Sequence, residues 1–253
     1  MTESVLFALA QAARERIIHL PDPHRRAPSL AAALPGVIAE LKPASPSQGE
    51  MRTLDDPEGL ARALLKAGAA GISALTEPTR FGGSPALLSA AVRAGGPVLM
   101  KDFVVTYRQL DLARRAGASA VLLILPLLDH HHSEFRNPAE AIEAARRRGL
   151  EVLLEVYDEV GYQSALALAP EIIGINNRDL REASLPVDSN RAVRVLAACG
   201  AHATPVLALS GAASAADVRA ARRAGAAGVL VGTSLMTADD PAGRLAAMLE
   251  GMK

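Results

Sequence analysis

Short, nearly all-apolar runs alternate along this chain with longer segments whose apolar residues recur at helical spacing. The runs fall at residues 37–41, 71–75, 98–100, 120–124, 152–156, 172–175, 206–209 and 228–231. A run that is apolar at almost every position fits a strand buried on both faces, as in a parallel sheet. Between the runs lie alanine- and leucine-rich segments at 57–67, 86–94, 109–116, 138–148, 159–168, 189–198 and 215–224. Strand and helix patterns in strict alternation are the mark of a parallel α/β fold. Eight strand candidates with no compositional break between them predict a closed (β/α)8, or TIM, barrel, with 1–253 as one domain.

Three stretches echo one another. Lys66-Ala-Gly-Ala-Ala-Gly, Arg115-Ala-Gly-Ala-Ser-Ala and Arg223-Ala-Gly-Ala-Ala-Gly each precede an apolar run. A basic residue closing a helix, a glycine cap and an immediate strand make an αβ turn, on the face of a barrel that carries stability and not chemistry. Before the first strand, residues 2–18 read as an extra helix, so 1–36 form an N-terminal helical extension. Residues 19–36 are proline-rich and end in the apolar stretch Leu30–Leu34. They have two open readings, a plug of the barrel or a wall of its pocket.

Composition narrows the function. Twenty-seven basic and 27 acidic residues cancel, so no global field draws nucleic acid or an anionic membrane. Any affinity for an anion must be built locally. The single cysteine, Cys199, permits no intrachain disulfide and reads as a small buried helix residue. No basic start with a long apolar run marks a secretory leader, and no run reaches the length of a membrane span. The expectation is a soluble, cytoplasmic, monomeric protein.

In a barrel, chemistry gathers where strands end and βα loops begin. Read there, the first strand gives Glu40 and Lys42, two apart and therefore on one face, followed by Ser45. The third ends in Lys101-Asp-Phe103, the fifth in Glu155 and the sixth in Asn176-Asn-Arg178-Asp-Leu180. Two lysines and two glutamates converging from three strands are costly to desolvate without partners, and their mutual proximity tunes them for acid–base work. The last two strands end in Ser210-Gly211 and Gly232-Thr233. In that position, loop N–H groups and a short helix at 234–236 are suited to grip a phosphate. No strand is followed by a Gly-x-Gly-x-x-Gly fingerprint, which excludes a dinucleotide fold. His130–His132 lacks a carboxylate cluster at ligand spacing and reads as a solvated loop, so no metal site is expected. The run 146–148 of arginines reads as an exposed helix end.

These motifs resemble those of indole-3-glycerol phosphate synthases from about residue 37 to 245. The resemblance is carried by Ile-Ala-Glu40-Leu-Lys42-Pro-Ala-Ser45-Pro-Ser, Leu75-Thr-Glu-Pro-Thr-Arg-Phe81-Gly-Gly-Ser, Val-Leu-Met-Lys101-Asp-Phe103, Leu-Leu-Glu155-Val, Ile-Gly-Ile-Asn176-Asn-Arg178-Asp-Leu180 and Val-Gly232-Thr-Ser-Leu-Met. It implies a carboxy-lyase of tryptophan biosynthesis acting on a small sugar phosphate, 1-(2-carboxyphenylamino)-1-deoxyribulose 5-phosphate, with no metal or organic cofactor. By the same resemblance Lys101 is the general acid of ring closure and Glu155 the general base of dehydration. Lys42, with Glu40, positions and polarises the substrate, and either lysine is open to the second acid role. Asn176, Arg178 and Ser45 contact substrate, with Arg178 and Ser45 at its carboxylate. Leu75, Phe81, Phe103, Leu122, Leu180 and Leu230 enclose the aromatic ring, and Ser210, Gly211, Gly232 and Thr233 cradle the phosphate. The chain departs from the family pattern at Leu209, where a glutamate is usual, at Pro43, where a basic residue is usual, and in a shorter segment before Glu40. Leu209 keeps a second reading open, a diverged paralogue acting on a related arylamino sugar phosphate. A third is a non-catalytic barrel used as a binding partner, which has no need of an acid–base set.

Overall fold

The computed structural model describes residues 4–19, 25–46, 48–182, 187–200 and 202–253. The eight apolar runs are strands: β1 (Gly36–Leu41), β2 (Gly71–Leu75), β3 (Val98–Lys101), β4 (Ala120–Ile124), β5 (Glu151–Val156), β6 (Ile172–Asn176), β7 (Val206–Leu209) and β8 (Gly228–Val231). Each pairs in parallel with its sequence neighbours, and β8 pairs with β1, so the sheet closes into a barrel. Ala44–Ser45 and Gly49–Glu50 form a small antiparallel hairpin above β1.

Alternation along the strands separates two buried layers. Val37, Ala39 and Leu41 of β1, Ile72 and Ala74 of β2, and Val152, Leu154 and Val156 of β5 belong to the layer packed on the helices. Ile38, Leu99, Leu122, Leu153, Leu207 and Leu230 fill the barrel interior. Glu40 is in phase with Ile38, Lys101 with Leu99 and Glu155 with Leu153. The ionisable residues are thus the last inward positions of their strands, where the packed interior gives way to the cavity above it.

The helices are α1 (Val5–Glu15), α2 (Pro57–Lys66), α3 (Pro85–Arg93), α4 (Tyr107–Ala116), α5 (Pro138–Arg147), α6 (Glu159–Leu168), α7 (Arg191–Cys199), α8 (Ala215–Arg223), α9 (Thr233–Met236) and α10 (Pro241–Leu249). Their starts follow from local chemistry. Ser84, Asn137, Asp158 and Asp240 each accept a backbone N–H three residues on, satisfying a donor that has no partner inside the helix. Helix α4 begins two residues before the periodicity predicts because Thr106 and Gln109 close a reciprocal capping box. Helix α7 begins two residues late, since Asp188 accepts the Arg191 N–H at 2.9 Å through its carbonyl and holds the preceding turn. The three echoed turns carry Gly68, Gly117 and Gly225, all with positive φ, as their place at helix ends requires.

The N-terminal extension divides between the two ends of the barrel. Ala27 donates to the Gly117 carbonyl, and the Leu30 and Ala31 amides donate to Glu151 at the start of β5. Fully buried Leu30 lies against Gly71 at the start of β2. The described residues 25–36 therefore plug the bottom; residues 20–24 lie outside the described set. Helix α1, predicted over 2–18 and spanning a shorter stretch, crosses to the opposite face. Leu6 N–H donates to the Leu180 carbonyl at 3.0 Å, and Arg16 pairs with Asp102 at 2.8 Å and donates to the Thr76 carbonyl. Of the two readings for residues 19–36, the described part, 25–36, takes the plug, and none of its residues lines the cavity above the strands. Among the described residues, no helix is long and apolar enough to cross a membrane.

Candidate active site

A cavity of about 440 Å³ opens at the C-terminal ends of the strands. Thirteen of the predicted site residues line it: Glu40, Lys42, Ser45, Phe81, Lys101, Asn176, Arg178, Leu180, Ser210, Gly211, Leu230, Gly232 and Thr233. The other four lie just behind its wall. Glu155, Leu75, Phe103 and Leu122 are buried, Phe103 with its ring centroid 6.2 Å from that of Phe81. As placed here, Leu75 and Leu122 support the wall and do not form its surface.

Glu40 is the hub. Its carboxylate lies 3.2 Å from Lys42 Nζ through one oxygen and 3.2 Å from Lys101 Nζ through the other. Burial acts to raise the Glu40 pKa, but the two ammonium groups outweigh it and hold the carboxyl below its ordinary value. Burial acts to lower the Lys101 pKa; Glu40 and then Glu155 outweigh that, so the lysine stays protonated well above neutral pH. Lys42 also donates to Thr233 Oγ1 at 3.1 Å, tying the end of β1 to the start of α9. Gly232 lies directly against this cluster: a Cβ on it would overlap Glu40 and approach Lys42 Nζ to 3.2 Å.

Glu155 differs from Glu40. Burial raises its pKa, and Lys101 together with hydrogen bonds from Asn176 and Tyr157 offsets only part of that rise. Asn176 Nδ2 donates to Glu155 Oε1 at 2.9 Å, while Asn176 Oδ1 accepts the Arg178 N–H at 3.0 Å. One carboxylate held ionised, one pushed toward working pH and a retained ammonium between them divide acid and base roles by environment.

The loops place the remaining groups. Glu77 accepts the amides of Thr79, Arg80 and Phe81, which folds the β2 loop so that Phe81 reaches the cavity. Asp102 accepts Thr76 Oγ1 at 2.6 Å as well as Arg16, fixing the turn that follows Lys101. In the β6 loop, Asn177 and Asp179 face away from the cavity. Asn177 bridges the Ser210 carbonyl and the Ala192 amide, and Asp179 pairs with Arg181 and Arg191. Arg178 lies half-buried on the cavity side, its pKa lowered by desolvation. Ser45 Oγ is buried and, among the described residues, has no hydrogen-bond partner.

At the other end, Ser210 takes a left-handed φ of 63° beside Gly211, and α9 presents its first amides next to Gly232. Helix N-termini of this kind leave N–H groups available to an anion. The sequence reading missed Arg244, which lines this end and donates to Ser234 Oγ and the Ala213 carbonyl. It also missed Tyr157 beside Glu155 and Arg16 paired with Asp102. Leu209 is buried, packs over Gly174 and contributes an apolar stretch of cavity wall.

Among the described residues, no group of histidine, cysteine and acidic side chains is arranged to hold a metal ion. His132 is nevertheless more than a solvated loop residue, with its ring stacked on Phe7 at 4.2 Å and Nδ1 2.9 Å from Asp129. Cys199, expected to be buried, is half-buried at the end of α7. Arg148, the last of the arginine run, is also half-buried, paired with Asp111 and over the Tyr107 ring.

Comparison with known proteins agrees with the sequence and the barrel. The family model for indole-3-glycerol phosphate synthase matches residues 9–248. The indole-3-glycerol phosphate synthase of Deinococcus radiodurans is 41% identical over 235 residues, 90% of this chain and 85% of that protein. Indole-3-glycerol phosphate synthase 1 of Streptomyces coelicolor is 44% identical over 206 residues, 81% and 74% of the two chains. Among solved structures, 3-hexulose-6-phosphate synthase superposes with a TM-score of 0.65 at 18% identity, over 85% of this chain and 99% of that one, a likeness of fold.

Proposed function

Since the chain belongs to the indole-3-glycerol phosphate synthase family, we propose that it converts 1-(2-carboxyphenylamino)-1-deoxyribulose 5-phosphate to indole-3-glycerol phosphate, carbon dioxide and water in tryptophan biosynthesis. The observation that carries this reading is the Lys42–Glu40–Lys101 cluster, with Glu155 behind it, in a cavity whose far end is the Ser210-Gly211 and Gly232-Thr233 loops.

Each step has a group suited to it. Arg178, a planar fork lining the same cavity as Ser45, holds the aryl carboxylate. The amides of the β7 loop and α9 hold the phosphate, and Phe81, Leu180, Leu209 and Leu230 enclose the ring. Bond formation between the ring carbon and the ribulose carbonyl carbon puts negative charge on the carbonyl oxygen. Lys101, kept protonated by Glu40 and Glu155, donates to that oxygen and stabilises the charge as it forms. The carbon–carboxylate bond then breaks, its electron pair restores the aromatic ring, and carbon dioxide leaves. Water departs last: a lysine ammonium protonates the leaving hydroxyl and Glu155 takes the proton released as the indole double bond forms. The raised pKa of Glu155 suits a base working near neutral pH.

We assign the chain to the carboxy-lyases and expect a cytoplasmic monomer acting as one domain on a small molecule, with no nucleic-acid partner. Expression in a tryptophan auxotroph lacking this synthase tests the assignment. Growth without tryptophan, abolished by Lys101→Ala, is expected. Failure of the well-expressed, folded protein to support growth would favour the related-substrate reading that the apolar side chain at Leu209 supports.

A further inference from the structure

Glu155 is held from a direction that the reaction does not account for. Tyr157, two residues on and just past the end of β5, donates its phenolic O–H to Glu155 Oε1 at 2.7 Å. Asn176 donates to that same oxygen, and among the described residues no hydrogen bond reaches Oε2. The ring of Tyr157 is buried beneath the Arg181 guanidinium, 4.9 Å from its centroid. Arg181 is itself fixed by Asp179 at 2.8 Å and Asp158 at 3.0 Å. A buried phenol clamped in this way has little freedom to turn its hydroxyl elsewhere.

We propose that Tyr157 is a positioning residue for the reaction, which with Asn176 occupies Oε1 of Glu155 and so makes Oε2 the oxygen that accepts the substrate proton. This rests on the reading of Glu155 as the base. The charged and titratable groups around the pair are Lys101 from β3, Glu40 from β1, and Asp179 and Arg181 from the β6 loop. None of these contacts is altered by removing one hydroxyl. Tyr157→Phe keeps the ring, its burial and the contact with Arg181, and deletes only the donor.

A hydrogen bond to a carboxylate favours the ionised form, so its loss pushes Glu155 further up. The acid limb of the kcat profile moves to higher pH by about one unit. Turnover falls about tenfold on the acid side and recovers by more than half at the alkaline plateau, with KM within about twofold. Site-specific 3-fluorotyrosine at position 157, a stronger donor that removes nothing, moves the limb the other way. Limbs that superpose on the parent in both variants overturn the inference, even if Tyr157→Phe lowers the rate uniformly. Glu155→Gln separates the two claims. If it abolishes turnover while the Tyr157 variants leave the limb unmoved, only the positioning role fails; if it leaves turnover intact, the assignment of the base fails with it.

Discussion

Gly232→Ala is a sharp test of the cluster because the nearest neighbours of the added methyl are Glu40 and Lys42. The glycine has a φ of −121°, so the alanine is not forced into the left-handed region. The new Cβ overlaps Glu40 Oε2, lies 3.1 Å from the Glu40 carboxyl carbon and 3.2 Å from Lys42 Nζ. The carboxylate must retreat by about 1 Å to restore ordinary contact. At an effective dielectric of about 20, stretching a 3.2 Å ion pair by that much weakens it by about 1 kcal/mol. That alone is about fivefold in rate, and a displacement of about 1 Å in catalytic groups brings the expected loss of kcat to about a hundredfold. The assay is initial velocity by indole fluorescence, with thermal melting to show that the fold is intact. In a Glu40→Asp background, where the acid is one methylene shorter, the same alanine should cost several-fold less, a non-additivity diagnostic of direct contact. A Gly232→Ala enzyme with kcat within twofold of the parent would refute the reasoning.

Three further outcomes follow from the same geometry. Arg178→Ala should raise KM by about tenfold or more with a smaller effect on kcat, and a binding constant unchanged within error would remove the arginine from the carboxylate. Arg16→Met leaves Asp102, whose side chain is 1% exposed, without its cation. The loss should be about 2 kcal/mol, below the range for a fully buried pair because Arg16 is partly solvated and Thr76 remains, and an unchanged urea midpoint would show that α1 is not anchored there. The depressed pKa of Glu40 gives a sign for acid stability. The folded protein binds this proton less readily than the unfolded chain, so the contribution is fully present above the ordinary value of 4.5 and is lost as pH falls below it. Unfolding free energy should therefore decline more steeply with acidification in the parent than in Glu40→Gln, and parallel curves would count against the ion cluster.

The barrel was legible because each strand is apolar on both faces, a pattern that survives without knowledge of any neighbour. Reading the last inward residue of each strand then found Glu40, Lys101 and Asn176, since period two fixes their direction. What escaped was long-range or out of register with that rule. Arg16 reaches Asp102 from 86 positions away, and nothing near Arg16 distinguishes it from other helix-end arginines. Arg244 lies in the first turn of α10, a place where basic side chains oppose the helix dipole and so attract no functional reading. Tyr157 reads as an ordinary aromatic after a strand until its hydroxyl is placed on Glu155. The role of residues 19–36 was undecidable from their prolines, because plug and wall differ in which barrel end Leu30 meets, and that is set by Glu151, about 120 positions away.

The central claim is that the Lys42–Glu40–Lys101 cluster and Glu155 perform ring closure, and product formation by the purified protein tests it directly. With 1-(2-carboxyphenylamino)-1-deoxyribulose 5-phosphate supplied alone, indole fluorescence should rise with one carbon dioxide released per product, and folded Lys101→Ala should give neither. Absence of both signals from the folded parent, or undiminished turnover in Lys101→Ala, would contradict the account.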